Sequence, residues 1–221
     1  MLKLSQVKSD LILFFMKEIL NFLIKAGKLK EMPRRGWVLR GVKEPETIAA
    51  HTFRMAIMAW VLCCYKKLNL NKVIKMALIH DLCEVYAGDT TPYDKILPKN
   101  KKKLKEIIPK WPRFSKEEKE KIFQEKHKKE SKALKKITSE LPAVLRKEIR
   151  NLWFDYENGL THEGKFVRQL DRVESLLQAS EYFKKNKDFS AETFWIQAEE
   201  LIDDPLLLKF IKTLERSFYC K

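Results

Sequence analysis

The chain has 221 residues, 45% of them hydrophobic, with 6 Gly, 8 Pro, 4 Cys and a formal net charge of +15. This composition excludes a disordered chain and a disulfide scaffold, and the length suits one domain with a sizeable core. The basic excess is concentrated in residues 95–136, which hold 17 Lys and Arg against 6 Glu; such a segment attracts nucleotides, nucleic acid or an anionic surface, or else forms a solvated helix face.

Residues 5–27 read as a helix, with Leu11, Phe14, Phe15, Ile19, Phe22 and Leu23 at helical spacing and Gly27 as its stop. Lys17, Glu18 and Asn21 interrupt its apolar run, so it is amphipathic rather than a membrane span. Residues 28–45 form a basic connector. Thr47 is positioned to cap a largely buried helix running to about Leu68, which carries His51 near its start together with Met55, Ile57, Met58, Trp60, Val61 and Leu62. After a turn at Asn69–Asn71, with Asn71 as the cap, the next helix carries His80, Asp81 and Glu84 and stops near Gly88. Residues 99–114 read as a loop region around one short helix. Ser115 to Glu118 resembles a capping box opening a long charged helix to about Ser139. Further helices are expected over about 142–159, 163–185, 190–202 and 204–218. No period-two pattern stands out, so the fold class is all-α. Cys63, Cys64, Cys83 and Cys220 form neither a C-x-x-C pair nor a zinc-ribbon spacing. Cys63 and Cys64 read as buried thiols, and a reducing, cytoplasmic setting is expected.

The chemistry centres on four residues. His51, His80, Asp81 and Asp171 offer two imidazoles and two carboxylates, a mixed N/O set suited to a first-row divalent ion. Individually each has a plainer reading, as a core histidine, a helix-end cap or a buried ion pair of Asp171 with Arg172; coincidence of all four is harder to sustain. A charge in an apolar context, such as Asp81, must be paired or bound to metal. On a continuous helix Glu84 shares a face with His80 and Asp81, which suits water activation. Gly88 can turn the chain so that Asp89 points back to the ion. Arg35 and Arg40 flank Trp37; an Arg fork suits a phosphate, and the indole suits a sugar or base. His127, on the charged helix, reads as a surface residue, and His162 as part of a loop.

At Gly36–Arg40, Glu46–His51, Ala77–Glu84, Gly88–Pro92, Leu152–Glu157 and Phe166–Tyr182 the chain resembles the HD-domain superfamily of metal-dependent phosphohydrolases. It is most similar to the 5′-deoxynucleotidase family with its bacterial YfbR-type members. The resemblance is collinear over most of residues 20–185. It implies an all-helical, single HD-domain bundle, taken over residues 1–221 with its core at about 20–185 and the C-terminal helices at about 190–218; the chain departs from the family in a Lys-rich insertion at about 93–114. It also implies hydrolysis of deoxynucleoside 5′-monophosphates with a divalent metal such as cobalt or manganese, and a homodimer. Under it His51, His80, Asp81 and Asp171 are metal ligands, and Glu84 and Asp89 are catalytic or hold a second metal. Arg35, Trp37 and Arg40 are the candidate substrate contacts, the serving arginine being undecided between Arg35 and Arg40. The rival expectations are a phosphohydrolase of a triphosphate or cyclic dinucleotide, and a nucleic-acid-binding protein using residues 95–136 around a structural metal site.

Overall fold

The computed structural model describes residues 2–94, 96 and 114–219, all of them helix, turn or loop apart from one isolated bridge between Pro33 and Thr47. Most of the 93–114 stretch, and Cys220, therefore lie outside the described residues. The helices are α1 (Leu2–Ala26), α2 (Arg35–Leu39), α3 (Ile48–Cys63), α4 (Leu70–Ile79), α5 (Glu84–Ala87), α6 (Lys116–Ile137), α7 (Ala143–Asn158), α8 (His162–Lys185), α9 (Glu192–Leu201) and α10 (Pro205–Phe218). A 3-10 turn over Gly27–Lys30 follows α1. Among the described residues no helix is long and apolar enough to cross a membrane.

Local chemistry sets most of the helix starts. Thr47 accepts from the Ala50 N–H, Ser115 and Glu118 form a complete capping box, Thr161 accepts from the Gly164 N–H, and Asp204 accepts from the Leu206 and Leu207 N–H groups. Asn69, not Asn71, caps α4, its side chain accepting from the Lys72 N–H. The connector before His51 is not wholly irregular, since α2 lies within it.

Helix α8 is the axis of the molecule and packs against α3, α4, α7, α9 and α10. The main core joins Met55, Met58 and Ala59 of α3, Val73, Met76 and Ala77 of α4, Phe166, Leu170, Val173 and Leu176 of α8, and Leu207 and Leu214 of α10. Each of these side chains larger than alanine contributes roughly 1.5–3 kcal/mol when fully buried. A second cluster joins Ile48, Leu82, Cys83 and Ala87 to Ala133, Leu134 and Ile137 of α6 and Trp153 of α7. His51 follows Ile48 by three residues and precedes Met55 by four, and His80 lies between Ala77 and Leu82. Both histidines therefore sit at the seam between the two clusters.

Three further sequence expectations change. α3 is buried on one side only: Ile57, Trp60 and Val61 are exposed, as is Cys64, which is not a core thiol. His127 is not a free surface residue, because its ring packs against Trp153 at 5.1 Å and its Nε2 is buried. The continuous helix expected through Glu84 is broken after Ile79. His80 Nδ1 lies 2.8 Å from the Ala77 carbonyl, the acceptor a continuing helix would give to the Asp81 N–H, and the chain runs through tighter turns before α5 begins at Glu84.

Candidate metal and phosphate site

The break after α4 points His80 and Asp81 into the seam. His51 Nε2 lies 3.2 Å from His80 Nε2 and 3.2 Å from Asp171 Oδ1, and donor atoms of this trio all fall within 4.8 Å of one another. Asp81 Oδ2 stands 3.0 Å from His80 Nε2 and 3.9 Å from His51 Nε2. Four residues separated by up to 120 positions in sequence are thus gathered at one point. Both histidines are fully buried, while Asp81 is partly open.

The surrounding groups fix the rings. His51 Nδ1 contacts Glu174 in a short, fully buried pair, and His80 Nδ1 faces the Ala77 carbonyl. With each Nδ1 engaged in this way, both Nε2 atoms face the centre, the arrangement found around metal-bound imidazoles. Tyr156 donates to Asp171 Oδ2 at 3.0 Å and orients that carboxylate. Arg54 donates to Glu174 (2.8 Å), Gln178 (2.7 Å) and Glu181 (2.7 Å), three α8 residues at helical spacing.

The electrostatics agree with a cation site. Burial and the Arg34 guanidinium both oppose a charged His51, but Glu174 and Asp171 outweigh them and push it up to about 9. Burial likewise opposes ionised Asp81 and Asp171. The neighbouring His80 overcomes it at Asp81, and His51 together with Arg172 overcomes it at Asp171, so both carboxyls stay below their usual range. The donor set, its fixed rings and its excess of carboxylate fit a divalent cation.

Glu84 and Asp89 form the outer edge. Glu84 is buried, its Oε2 has no hydrogen-bond partner, and burial together with Asp81 and Asp89 pushes its carboxyl well up. Gly88 has φ +72, a conformation costly for other residues, and the turn delivers Asp89 to the Arg35 backbone N–H at 2.6 Å. Burial also raises Asp89, although Arg34 and the Arg35 N–H oppose it.

The candidate phosphate contacts are placed differently from expectation. Trp37 is only 2% exposed, stacked on Phe194 at 4.8 Å and against Tyr182 at 5.2 Å, with its indole N–H on Glu46 at 2.8 Å. Its faces are taken by the core, so a sugar or base does not stack on it. Arg40 donates to the Gly36 carbonyl (3.0 Å) and Thr193 (2.9 Å) and lies over the Phe194 ring; it packs this aromatic cluster rather than offering a phosphate fork. Arg35 is half-exposed and its Nε donates to Asp94 at 2.8 Å. The arginine at the centre is Arg34. Its guanidinium lies 3.8 Å from Asp81 and 3.9 Å from Asp171, donates to Ser175 at 3.2 Å, and buries Nη1 without a hydrogen bond. Sequence reading passed over Arg34, Glu174, Tyr156 and Arg54. The first stands next to Arg35, one of the two arginines weighed; Tyr156 and Glu174 lie in motif stretches and Arg54 just beyond one, but their partners are far away in sequence.

The comparisons agree with this architecture. A family model described as HD domain matches residues 26–204. The chain is 38% identical over 198 residues to the 5′-deoxynucleotidase HDDC2 of Mus musculus, covering 89% of this chain and 86% of that protein. It is 34% identical over 196 residues to the 5′-deoxynucleotidase hdd1 of Schizosaccharomyces pombe, covering 86% and 84%. Among solved structures, a conserved hypothetical protein from Pyrococcus furiosus aligns with a TM-score of 0.66 at 27% identity, covering 89% of this chain and 99% of that one. With a family model spanning most of its length and two relatives above 30% identity matched nearly end to end, the chain belongs to the HD-domain family.

Proposed function

We propose that the protein is a metal-dependent 5′-deoxynucleotidase, hydrolysing deoxynucleoside 5′-monophosphates to deoxynucleoside and phosphate. The observation that carries this reading is the convergence of His51, His80 and Asp171, with Asp81 beside them and Arg34 against the two aspartates. The naming of relatives from mouse and fission yeast as 5′-deoxynucleotidases supports the substrate class.

His51, His80, Asp81 and Asp171 would hold the cation, cobalt or manganese being the expected ions. When bound, such an ion supplies Lewis-acid polarisation of a phosphoryl oxygen and a water of lowered pKa. The chain's own residues then do the rest. Arg34, with an unpaired N–H already inside the site, offers charge-assisted bonds to the phosphate. Arg35 lies farther out, where release from Asp94 would let it reach the same group. Glu84, its carboxyl pushed well up by burial, Asp81 and Asp89, is suited to hold and pass on a proton, and Asp89, hydrogen-bonded to the Arg35 backbone, is suited to orient water; both also remain candidates for a second metal. Tyr156 and Glu174 hold Asp171 and His51 in place.

The reading takes residues 1–221 as one cytoplasmic domain that forms a homodimer. Phe53 (69% exposed), Ile57, Trp60 and Val61 make an apolar stripe on α3, and Leu13, Met16, Leu20, Leu23 and Ile24 make another on α1; stripes of this kind are normally covered. The deciding experiment is phosphate release from deoxy- and ribonucleoside monophosphates with cobalt or manganese, then with chelator. Chelator-sensitive release favouring the deoxy series is expected, and absence of release from every monophosphate overturns the reading.

A further inference from the structure

The Lys-rich helix α6 is not polar on every side. Lys126, Glu130, Ala133, Leu134 and Ile137 recur at helical spacing and share one face. The lower part of that face packs into the second core cluster against Leu82, Cys83 and Ala87, and Lys136 lies over the Tyr86 ring at 4.2 Å. The same face therefore brings Glu130 and Lys126 beside the segment that carries Asp81 and Glu84. Glu130 is fully buried and lies 3.3 Å from Lys126 Nζ, which fixes the tip of a long side chain. The Lys126 side chain keeps 39% of its surface exposed along its length, while its tip is held against Glu130.

Glu130, Glu157, Glu84 and Asp81 all favour the charged form of Lys126 against its burial, and Lys126 and Arg34 both favour ionised Glu84 and Asp89. Arg34 approaches this acidic pair from the connector before α2, and Lys126 from α6. A phosphate dianion brought among so many carboxylates needs more than one positive partner.

We propose that Lys126, anchored by Glu130, is a second phosphate-positioning cation that faces Arg34 across the Glu84 and Asp89 edge of the site. This rests on the phosphohydrolase reading only in calling the anion a substrate phosphate. It assigns one lysine of the basic segment to the interior of the site and leaves the exposed lysines of α6 out of it.

The test is binding of inorganic phosphate by calorimetry, alongside KM and kcat for a deoxynucleoside monophosphate, in the full chain and in Lys126→Met, Lys126→Arg and Glu130→Gln. Loss of one charge-assisted contact predicts phosphate binding about tenfold or more weaker in Lys126→Met, with KM raised by a similar factor and kcat changed less. Lys126→Arg recovers most of the affinity, and Glu130→Gln gives an intermediate loss. Lys128→Met, on the exposed side of the helix, leaves phosphate binding unchanged. Equal phosphate affinity in wild type and folded Lys126→Met overturns the proposal, as does failure of wild type to bind phosphate. Phosphate binding that depends on Lys126 without turnover of any monophosphate keeps the proposal and overturns the deoxynucleotidase reading instead.

Discussion

Two helices of nearly equal length, α1 with 25 residues and α8 with 24, treat their apolar residues in opposite ways. α8 buries Phe166, Val167, Leu170, Val173, Leu176 and Ala179 against neighbours on several sides and inserts Asp171 and Glu174 among them. Among its described residues α1 leaves Leu13, Met16, Leu20 and Ile24 in solvent and joins the core through Phe22 and Ala26. The hydrophobic pattern alone does not separate the two. What separates them is polar residues at inward positions: α8 places carboxylates where an uncharged helix would place leucines, and those carboxylates are met by His51, Arg34, Arg54 and Tyr156. A helix that carries buried charge must be surrounded, whereas an amphipathic helix without it can wait for a partner chain.

The largest effect should come from α8. Asp171→Ala removes a donor from the central trio and is expected to cut nucleotidase turnover by more than about 100-fold, with loss of metal in elemental analysis of the purified protein. A folded Asp171→Ala enzyme with near-normal turnover would break the assignment. Glu174→Gln keeps the shape but weakens the hold on His51, and about a 10- to 100-fold drop in metal affinity is expected in a competition titration with a chelating dye.

At the start of α8 the effects turn from chemistry to stability. A Cβ at Gly164 would collide with Asp155, so Gly164→Ala should cost about 1–3 kcal/mol in urea unfolding. Asp155 itself is pushed up by burial, but the Lys72 ammonium and the Thr161 hydroxyl and N–H more than offset this and leave it lowered. A carboxyl lowered in the folded state stabilises above its unfolded pKa, and that contribution is lost as pH falls through the acid range. Unfolding free energies measured from pH 7 to pH 3 should therefore fall less steeply in Asp155→Asn than in wild type. The smallest effect on the fold is expected in α1: Leu13→Glu with Leu20→Glu should alter unfolding of the monomer by no more than about 0.5 kcal/mol, and, if the proposed homodimer forms through this face, sedimentation velocity should show it giving way to monomer. A large loss of stability there would mean that α1 is packed as tightly as α8.

How far the molecule could be read from its residues follows the same division. Caps and helix periods act within a few residues, so Thr47, the Ser115 box and the span of α8 were legible. The ligand candidates were legible because a buried imidazole or carboxylate in an apolar run demands a partner. The break at His80 was not, because it depends on the ring reaching its own helix's Ala77 carbonyl. Arg34 was hidden by its neighbour: two adjacent arginines look alike until the connector folds, and then one faces Asp81 and Asp171 while the other turns to Asp94. Trp37 beside arginines looked like a platform for a base, but Phe194 and Tyr182 arrive from more than 140 residues away to enclose it.

The turn between α7 and α8 works as a ruler. Tyr156 leaves one helix and Asp171 the other, and they meet at 3.0 Å across a corner where Gly159 is left-handed and Gly164 presses against Asp155. Neither arm has slack, so one residue added to this corner would slide the tyrosine out of register with the aspartate by most of a helical step. Lineages of this fold should therefore vary in length elsewhere, above all between α5 and α6, and keep the count from Tyr156 to Asp171 unchanged.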